Sequence, residues 1–126
     1  MHRLRLPTLM RHPSKAIVLG GSGRSGTTWL GSVIAASPYI DQVFEPLDRR
    51  RVPEAEALPL RPYARRGEPQ HSLETYLEQV LCGKISNAWV NREGRRPWAS
   101  RTLVKTIRGM LLLDWIEYRY QPRIVY

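Results

Sequence analysis

The apolar positions of the chain form four short runs whose lengths are typical of β-strands. Ala16–Leu19 is unbroken, as expected of a strand that is buried on both faces of a parallel sheet. The other runs cover residues 39–44, 102–105 and 122–126. All four runs are far shorter than the roughly 20 residues that a membrane-spanning helix needs.

Apolar residues recur at helical spacing in three stretches between these runs. The first stretch begins at Thr27 and ends before Ser37-Pro38, with an apolar face of Leu30, Val33 and Ile34. The second begins after Ser72, a reasonable N-cap, and the third covers residues 110–118. Strands that alternate with helices predict an α/β fold with a parallel sheet flanked by helices.

A glycine-rich loop, Gly20-Gly21-Ser22-Gly23-Arg24-Ser25-Gly26, joins the first strand to the first helix. This arrangement aims backbone N–H groups and the positive end of a helix at one point, which can hold phosphate or sulfate. The Gly21-x4-Gly26 spacing is that of a P-loop, but Thr27 stands where a nucleotide triphosphatase has lysine. That difference argues against ordinary ATP or GTP hydrolysis. A plain strand–turn–helix connection is the alternative.

Residues 23–30, GRSGTTWL, resemble the 5'-phosphosulfate loop of sulfotransferases that use 3'-phosphoadenylyl sulfate. The resemblance implies a P-loop-type fold. It also implies that the 5'-phosphate and sulfate are held by four residues of this loop, Ser25, Gly26, Thr27 and Thr28. Gly23, Arg24 and Trp29 belong to the same binding loop. Arg24 takes the position where many members of the family have a catalytic lysine. Its guanidinium can stabilise charge on the leaving phosphate, but it is a poor proton donor.

Glu45 follows the second strand and is the candidate general base. The carboxyl ends of parallel strands share one edge of the sheet, so Glu45 is expected beside the glycine loop. Sulfuryl transfer needs a group that takes the proton of the acceptor hydroxyl. The segment Phe44-Glu45-Pro46 resembles carbohydrate sulfotransferases, in which a glutamate of this region lies near the acceptor. The alternative is that Glu45 pairs with an arginine such as Arg24 and only shapes the site.

Lys105 and Arg108 lie at the end of the third strand, in the run LVKTIR. This run resembles a segment of carbohydrate sulfotransferases, which implies that both side chains face the acceptor or the nucleotide phosphates. Solvated charges at a strand end are the equally weighted alternative. His71 is a second candidate base, although a lone histidine at a helix start is more often structural.

Residues 48–70 contain four prolines and six arginines, and they predict an extended loop rather than a helix. Such a loop is either a lid over an anionic acceptor or a solvated connection. The net charge of +9 suits anionic partners, and no nucleic-acid partner is expected because no aromatic pattern accompanies the charges.

A single cysteine, Cys82, excludes a disulfide framework within the chain and a multi-cysteine metal site. No metal is required by the residues present, and Cys82 is expected to be half-buried at a helix end. Residues 1–15 are interpreted as a basic lead-in with solvated arginines. They lack the apolar core of a signal peptide, so we expect a cytoplasmic protein.

In the sulfotransferases that the chain resembles, the strand corresponding to residues 122–126 leads to an Arg-Asp-Pro-Arg type segment and a later serine that hold the 3'-phosphate, and that motif is missing here. Residues 16–126 are therefore expected to form the N-terminal part of a sulfotransferase domain, truncated before this motif and inactive alone. The resemblance implies sulfuryl transfer from 3'-phosphoadenylyl sulfate to a hydroxyl or amine acceptor, with a glycan as one candidate. The alternatives are a P-loop kinase or nucleotide triphosphatase, and an inactive basic fragment that binds anions. The sequence predicts no oligomeric state.

Overall fold

The computed structural model describes residues 11–21 and 26–126, and in this part four strands form one sheet. All neighbouring strands are parallel, in the order β2-β3-β1-β4. The parallel sheet predicted from the apolar runs is therefore confirmed. The strand bounds are β1 Ile17–Gly20, β2 Ile40–Phe44, β3 Arg101–Thr106 and β4 Arg123–Val125.

Three α-helices connect the strands in the described part of the chain: α1 Thr27–Ile34, α2 His71–Leu81 and α3 Leu113–Tyr120. The predicted N-cap of the second helix is wrong, because α2 begins at His71 and is preceded by Gln70, with Ser72 inside its first turn. The third helix begins as a 3₁₀ turn, Met110–Leu112, before α3 continues to Tyr120. Two further 3₁₀ turns cover Pro13–Lys15 and Pro53–Ala55.

The two faces of the sheet are covered differently. Val18, Val43 and Val104 lie in one buried cluster with residues of α2 and α3, including Leu77 and Trp115. Because successive strand residues point to opposite faces, the neighbours of these valines face the layer that holds α1. The large apolar cluster thus lies between the sheet and the α2–α3 pair.

Helix α1 touches the sheet through small residues rather than through the predicted apolar face. Thr27 and Gly31 are its buried residues, whereas Val33 is 50% exposed. A Cβ atom on Gly31 would lie 3.0 Å from Gln42 Nε2 and 3.6 Å from Leu19 Cδ2. Because the helix approaches the strand this closely, the residue that faces the sheet is Gly31 rather than the neighbouring large side chain of Leu30.

The connections place a crossover point between β1 and β3. The chain leaves β1, passes β3 and enters β2, whereas it leaves β3, passes β1 and enters β4. Leu19 of β1 is in register with Lys105 of β3, and Gly20 is in register with Thr106. In open parallel sheets the crevice at the carboxyl ends of two such strands is the usual ligand site.

Residues 48–70 are irregular, as predicted, but they are anchored to the core. Val52, Ala55 and Ala64 are buried in the large apolar cluster. The interpretation as a solvated loop is therefore wrong for these positions, since the segment supplies core side chains between its prolines. Among the described residues, no helix is long and apolar enough to cross a membrane.

A buried charge cluster closes the amino edge of the sheet around Asp41 of β2. Arg11 Nη1 donates to Asp41 Oδ2 at 2.7 Å and to Thr102 Oγ1 at 3.1 Å. Arg95 donates from Nε and Nη2 to the two Asp41 oxygens, at 2.9 Å each. The backbone N–H of Arg96 donates to Asp41 Oδ1 at 2.7 Å. We call Arg11, Asp41 and Arg95 the amino-edge cluster.

The remaining N–H groups of this cluster reach backbone carbonyls and, from Arg95, the side-chain oxygen of Asn91. Arg11 Nε donates to Ala99 O at 2.8 Å, and Arg95 donates to Ile85 O and Gly83 O at 2.7 Å each. Arg11 is buried, so the prediction that the arginines of residues 1–15 are solvated is wrong for this one. Its carbonyl also accepts the thiol of Cys82, which is half-buried directly after α2, as predicted.

Candidate functional site

The described part of the glycine loop ends in a helix start that lacks a capping side chain. Gly26 is the N-cap residue of α1, with a φ of 85° that favours glycine, and it has no side chain to accept the N–H groups of the first turn. The first bond of the helix runs from Leu30 N to Gly26 O at 3.0 Å. The preceding N–H groups therefore face the carboxyl edge of the sheet. Gly23, Arg24 and Ser25, which were predicted to contact the anion, lie outside the described residues.

A cavity of about 490 Å³ opens at this helix start, and five of its residues were predicted from the sequence. Thr27 is buried at its base, whereas Thr28 is exposed and Trp29 is 71% exposed at its rim. Lys105 reaches the same cavity from the end of β3, next to β1. The sheet register thus brings Lys105 to the helix start, although the two are far apart in sequence. The lining residues are Gly26, Thr27, Thr28, Trp29, Lys105 and Ile107.

Glu45 is buried directly after β2 and binds the adjacent strand end. Its N–H donates to Lys105 O at 2.8 Å, and its φ is 45°, which is uncommon for a residue other than glycine. The N–H of Ile107 donates to both carboxylate oxygens, at 3.0 Å each. Lys105 Nζ lies 3.3 Å from Glu45 Oε1. Glu45 and Lys105 form what we call the carboxyl-edge pair.

Burial raises the pKa of Glu45 above its ordinary value. The Ile107 N–H and the Lys105 ammonium act in the opposite direction, but they do not offset the loss of hydration. A carboxylate with a raised pKa is a stronger base than an exposed glutamate. Among the described residues the ion-pair partner of Glu45 is Lys105 rather than an arginine, and Arg24, named in the alternative, lies outside them.

Two aromatic rings support the carboxyl-edge pair. Trp89 Nε1 donates to Glu45 O at 3.2 Å, and the Trp89 ring meets Phe44 edge-on with centroids 5.2 Å apart. Lys105 Nζ lies 4.7 Å from the centre of the Phe44 ring. The neighbouring residue Val90 accepts the Phe44 N–H, which holds this segment against β2. Sequence reasoning missed Trp89, because it lies in an irregular segment without periodicity.

Arg108 and His71 lie away from this cavity lining. Arg108 is half-buried near Asp48. Burial raises the pKa of Asp48, but bonds from Arg50 and the charges of Arg50 and Arg108 outweigh it, so that pKa is lowered. His71 is the exposed first residue of α2, and its carbonyl accepts the Thr75 hydroxyl at 3.2 Å. This placement favours the structural interpretation of His71.

Comparison of the chain with protein-family models, with curated proteins and with solved structures finds no match. Within the described ranges, no group of three or more His, Cys, Asp or Glu side chains is arranged to hold a metal ion. The functional interpretation therefore rests on the chemistry of the residues at the carboxyl edge.

Proposed function

We propose that the chain binds 3'-phosphoadenylyl sulfate at the carboxyl edge and serves sulfuryl transfer to a hydroxyl or amine acceptor. The observation that carries this proposal is the position of Lys105, which lines the cavity at the uncapped helix start and whose ammonium lies 3.3 Å from the buried carboxylate of Glu45. The helix start and the ammonium suit an anion, and the carboxylate suits the removal of a proton. The resemblance of residues 23–30 to a 5'-phosphosulfate loop supports the same assignment.

The cavity fits the anionic end of this cosubstrate. Helix N–H groups and the hydroxyls of Thr27 and Thr28 can donate to phosphate oxygens, and Lys105 adds a positive charge. The cosubstrate supplies the activated sulfuryl group, and the chain holds and orients it. Arg24 is proposed to add a guanidinium from the loop to the same anion.

Glu45 is proposed to accept the proton of the attacking acceptor hydroxyl. The acceptor oxygen then forms a bond to sulfur as the bond from sulfur to the phosphate oxygen breaks. The negative charge passes from the Glu45 carboxylate to the leaving phosphate. When Glu45 is protonated, Lys105 loses its counter-charge, which lay 3.3 Å from its Nζ. Lys105 and the helix start then stabilise the leaving phosphate together.

Phosphoryl transfer is the second candidate. Thr27 stands where a nucleotide triphosphatase has lysine, but Lys105 lines the same cavity and supplies a lysine there. A P-loop kinase of this kind would turn over ATP with magnesium. A fragment that only binds anions would retain adenosine 3',5'-bisphosphate without transferring sulfate. Assays of the chain with radiolabelled 3'-phosphoadenylyl sulfate and with ATP separate the three possibilities.

The helix-start hydroxyls give the direct test of this proposal. Thr27→Ala combined with Thr28→Ala should weaken binding of adenosine 3',5'-bisphosphate by about 1.5–3 kcal/mol for each charge-assisted hydrogen bond lost. Isothermal titration calorimetry measures the change. Ser32→Ala is the matched control, since Ser32 lies one turn further along α1 and its hydroxyl donates to Thr28 O. Equal affinities of the double variant and the parent chain would overturn the assignment of this loop.

A further inference from the structure

A second cavity, of about 200 Å³, lies at the carboxyl end of α1, at the opposite end of this helix from the candidate functional site. We call it the α1-end cavity. Its volume is below the roughly 300–1,000 Å³ of pockets that take drug-sized molecules, so it suits a smaller ligand. Its lining includes residues of the helix end, of β2 and of the irregular segment before β3: Ala35, Ile40, Gln42, Glu93, Arg96 and Trp98.

Gln42 brings a buried amide to this cavity. The residue is only 4% exposed, and its side chain makes no hydrogen bond with another described residue. In the described part of the chain, no fully enclosed side-chain nitrogen or oxygen lacks a partner, so the Gln42 amide is open to the cavity that it lines. Because buried polar groups are almost always hydrogen-bonded in folded proteins, this amide points to a polar ligand.

The two arginines of the cavity differ in how many of their N–H groups are used. Arg95 donates to five acceptor atoms, so none of its five N–H groups is left. Arg96 donates from the side chain only through Nη1, to Ala35 O at 2.5 Å, to Ser37 O at 2.7 Å and to Ile40 O at 3.1 Å. Its Nε and Nη2 have no acceptor among the described residues, although Arg96 is half-buried. These N–H groups suit a carboxylate, which a guanidinium binds in a bidentate manner.

A carboxylate lines the same cavity without neutralising this guanidinium. Glu93 is exposed, and neither Glu93 nor Arg96 has an ion-pair partner among the residues that the structure describes. The indole of Trp98 is held in place by a bond from its Nε1 to Pro38 O at 3.2 Å. A separated cation and anion beside apolar side chains are complementary to a small molecule that carries both charges.

We propose that the α1-end cavity binds a free α-amino acid with an apolar side chain. Nε and Nη2 of Arg96 hold its carboxylate together with the Gln42 amide, and Glu93 holds its ammonium group. The apolar side chain lies against Ile40 and Trp98. A nucleobase fits less well, because a neutral base leaves both charges of the cavity unpaired. This inference is independent of the proposed function, since the two cavities lie at opposite ends of α1.

Calorimetric titration with L-leucine and L-methionine tests the proposal, and the parent chain should bind both. It should bind 4-methylpentanoate and isoamylamine at least about tenfold more weakly than L-leucine, because each of them lacks one of the two charges. Glu93→Gln should bind L-leucine at least about tenfold more weakly than the parent chain does, and it should no longer distinguish L-leucine from 4-methylpentanoate. The control Glu78→Gln removes the same charge from an exposed position of α2 and should change the affinity less than about twofold.

A second variant tests the amide. Gln42→Leu keeps the approximate size of the side chain but removes both hydrogen-bonding groups, and it should weaken L-leucine binding at least about fivefold. Gln79→Leu, at an exposed position of α2, is the matched control and should leave the affinity unchanged. Circular dichroism confirms that the four variants are folded.

Several outcomes would overturn the proposal. These are no binding of either amino acid, binding of 4-methylpentanoate or isoamylamine as tight as that of L-leucine, an equal loss in Glu93→Gln and Glu78→Gln, or binding of adenine as tight as that of L-leucine. The last outcome would identify the cavity as a nucleobase site instead.

Discussion

Asp41 and Glu45 are buried carboxylates at opposite ends of β2, and their pKa values are shifted in opposite directions. Burial raises both, but at Asp41 the bonds from Arg95, the Arg96 N–H and Arg11 outweigh it, so the pKa is lowered. At Glu45 one backbone N–H and one ammonium do not offset burial, and the pKa is raised. The number and charge of the donors, rather than burial, separate the two sites. The less compensated carboxylate is the one that pairs with a residue of the cavity at the start of α1.

The largest expected effect comes from removing the charge of Asp41. Asp41→Asn leaves Arg11 buried with an incomplete partner set, and it should lower the free energy of unfolding by about 3–5 kcal/mol at pH 7. Urea titration measures this change. A loss below about 1 kcal/mol would mean that carbonyl acceptors alone hold the amino edge.

The corresponding change at Glu45 should affect activity more than folding. Glu45→Gln should lower kcat/KM for sulfuryl transfer at least about a hundredfold and remove the acidic limb of its pH profile. That limb should lie above the ordinary pKa of glutamate, because burial raises the pKa of Glu45. The assay follows the transfer of radiolabelled sulfate from 3'-phosphoadenylyl sulfate to the acceptor.

Two variants make this kinetic test specific. Arg24→Ala should keep the acidic limb, since an arginine stabilises charge without titrating. Glu78→Gln, an exposed residue of α2, should keep both the limb and the rate. An intact limb in Glu45→Gln would show that the base is a residue other than Glu45.

The smallest expected effect is a difference in how the two carboxylates link stability to pH. The lowered pKa of Asp41 gives stability that is present above its unfolded-state pKa and is lost as pH falls through the folded-state pKa. The raised pKa of Glu45 has the opposite sign, because its contribution is present below the unfolded-state pKa and is lost as pH rises through the folded-state pKa.

The free energy of unfolding of Glu45→Gln should therefore differ from that of the parent chain by about 1 kcal/mol or less at pH 4, where Glu45 is largely protonated and carries no more charge than the glutamine that replaces it. The variant should gain stability relative to the parent as pH rises from 4 to 7. Urea titrations at several pH values measure this trend. If the parent chain instead became more stable than the variant as pH rises over this range, the stabilisation from the Lys105 and Ile107 contacts would exceed the cost of burying the Glu45 charge.

The local pattern of the sequence was enough to predict the strands, the parallel sheet and the position of Glu45 and Lys105 at the carboxyl edge of the sheet. These features follow from the period of apolar residues and from the shared edge of parallel strands. The roles of Arg11 and Trp89 could not be predicted, because they depend on partners far away in sequence. The buried face of α1 was missed because the close approach of a glycine to the sheet, rather than hydrophobicity, sets its orientation.

The contacts of Arg11 also bear on the order in which the chain assembles. They join residues separated by 30, 88 and 91 positions, so the amino edge cannot close until β3 has joined the sheet. Contacts of such long range are costly to form early, since a large loop must be closed first. The contacts of the amino-edge cluster are thus expected to form late in folding, after the transition state. Their loss in Asp41→Asn should therefore speed unfolding more than it slows folding in stopped-flow measurements. The slow step of unfolding would then depend on the amino edge of the sheet, at the opposite end from the candidate site. The carboxyl edge could exchange ligands without breaking the contacts of the amino-edge cluster.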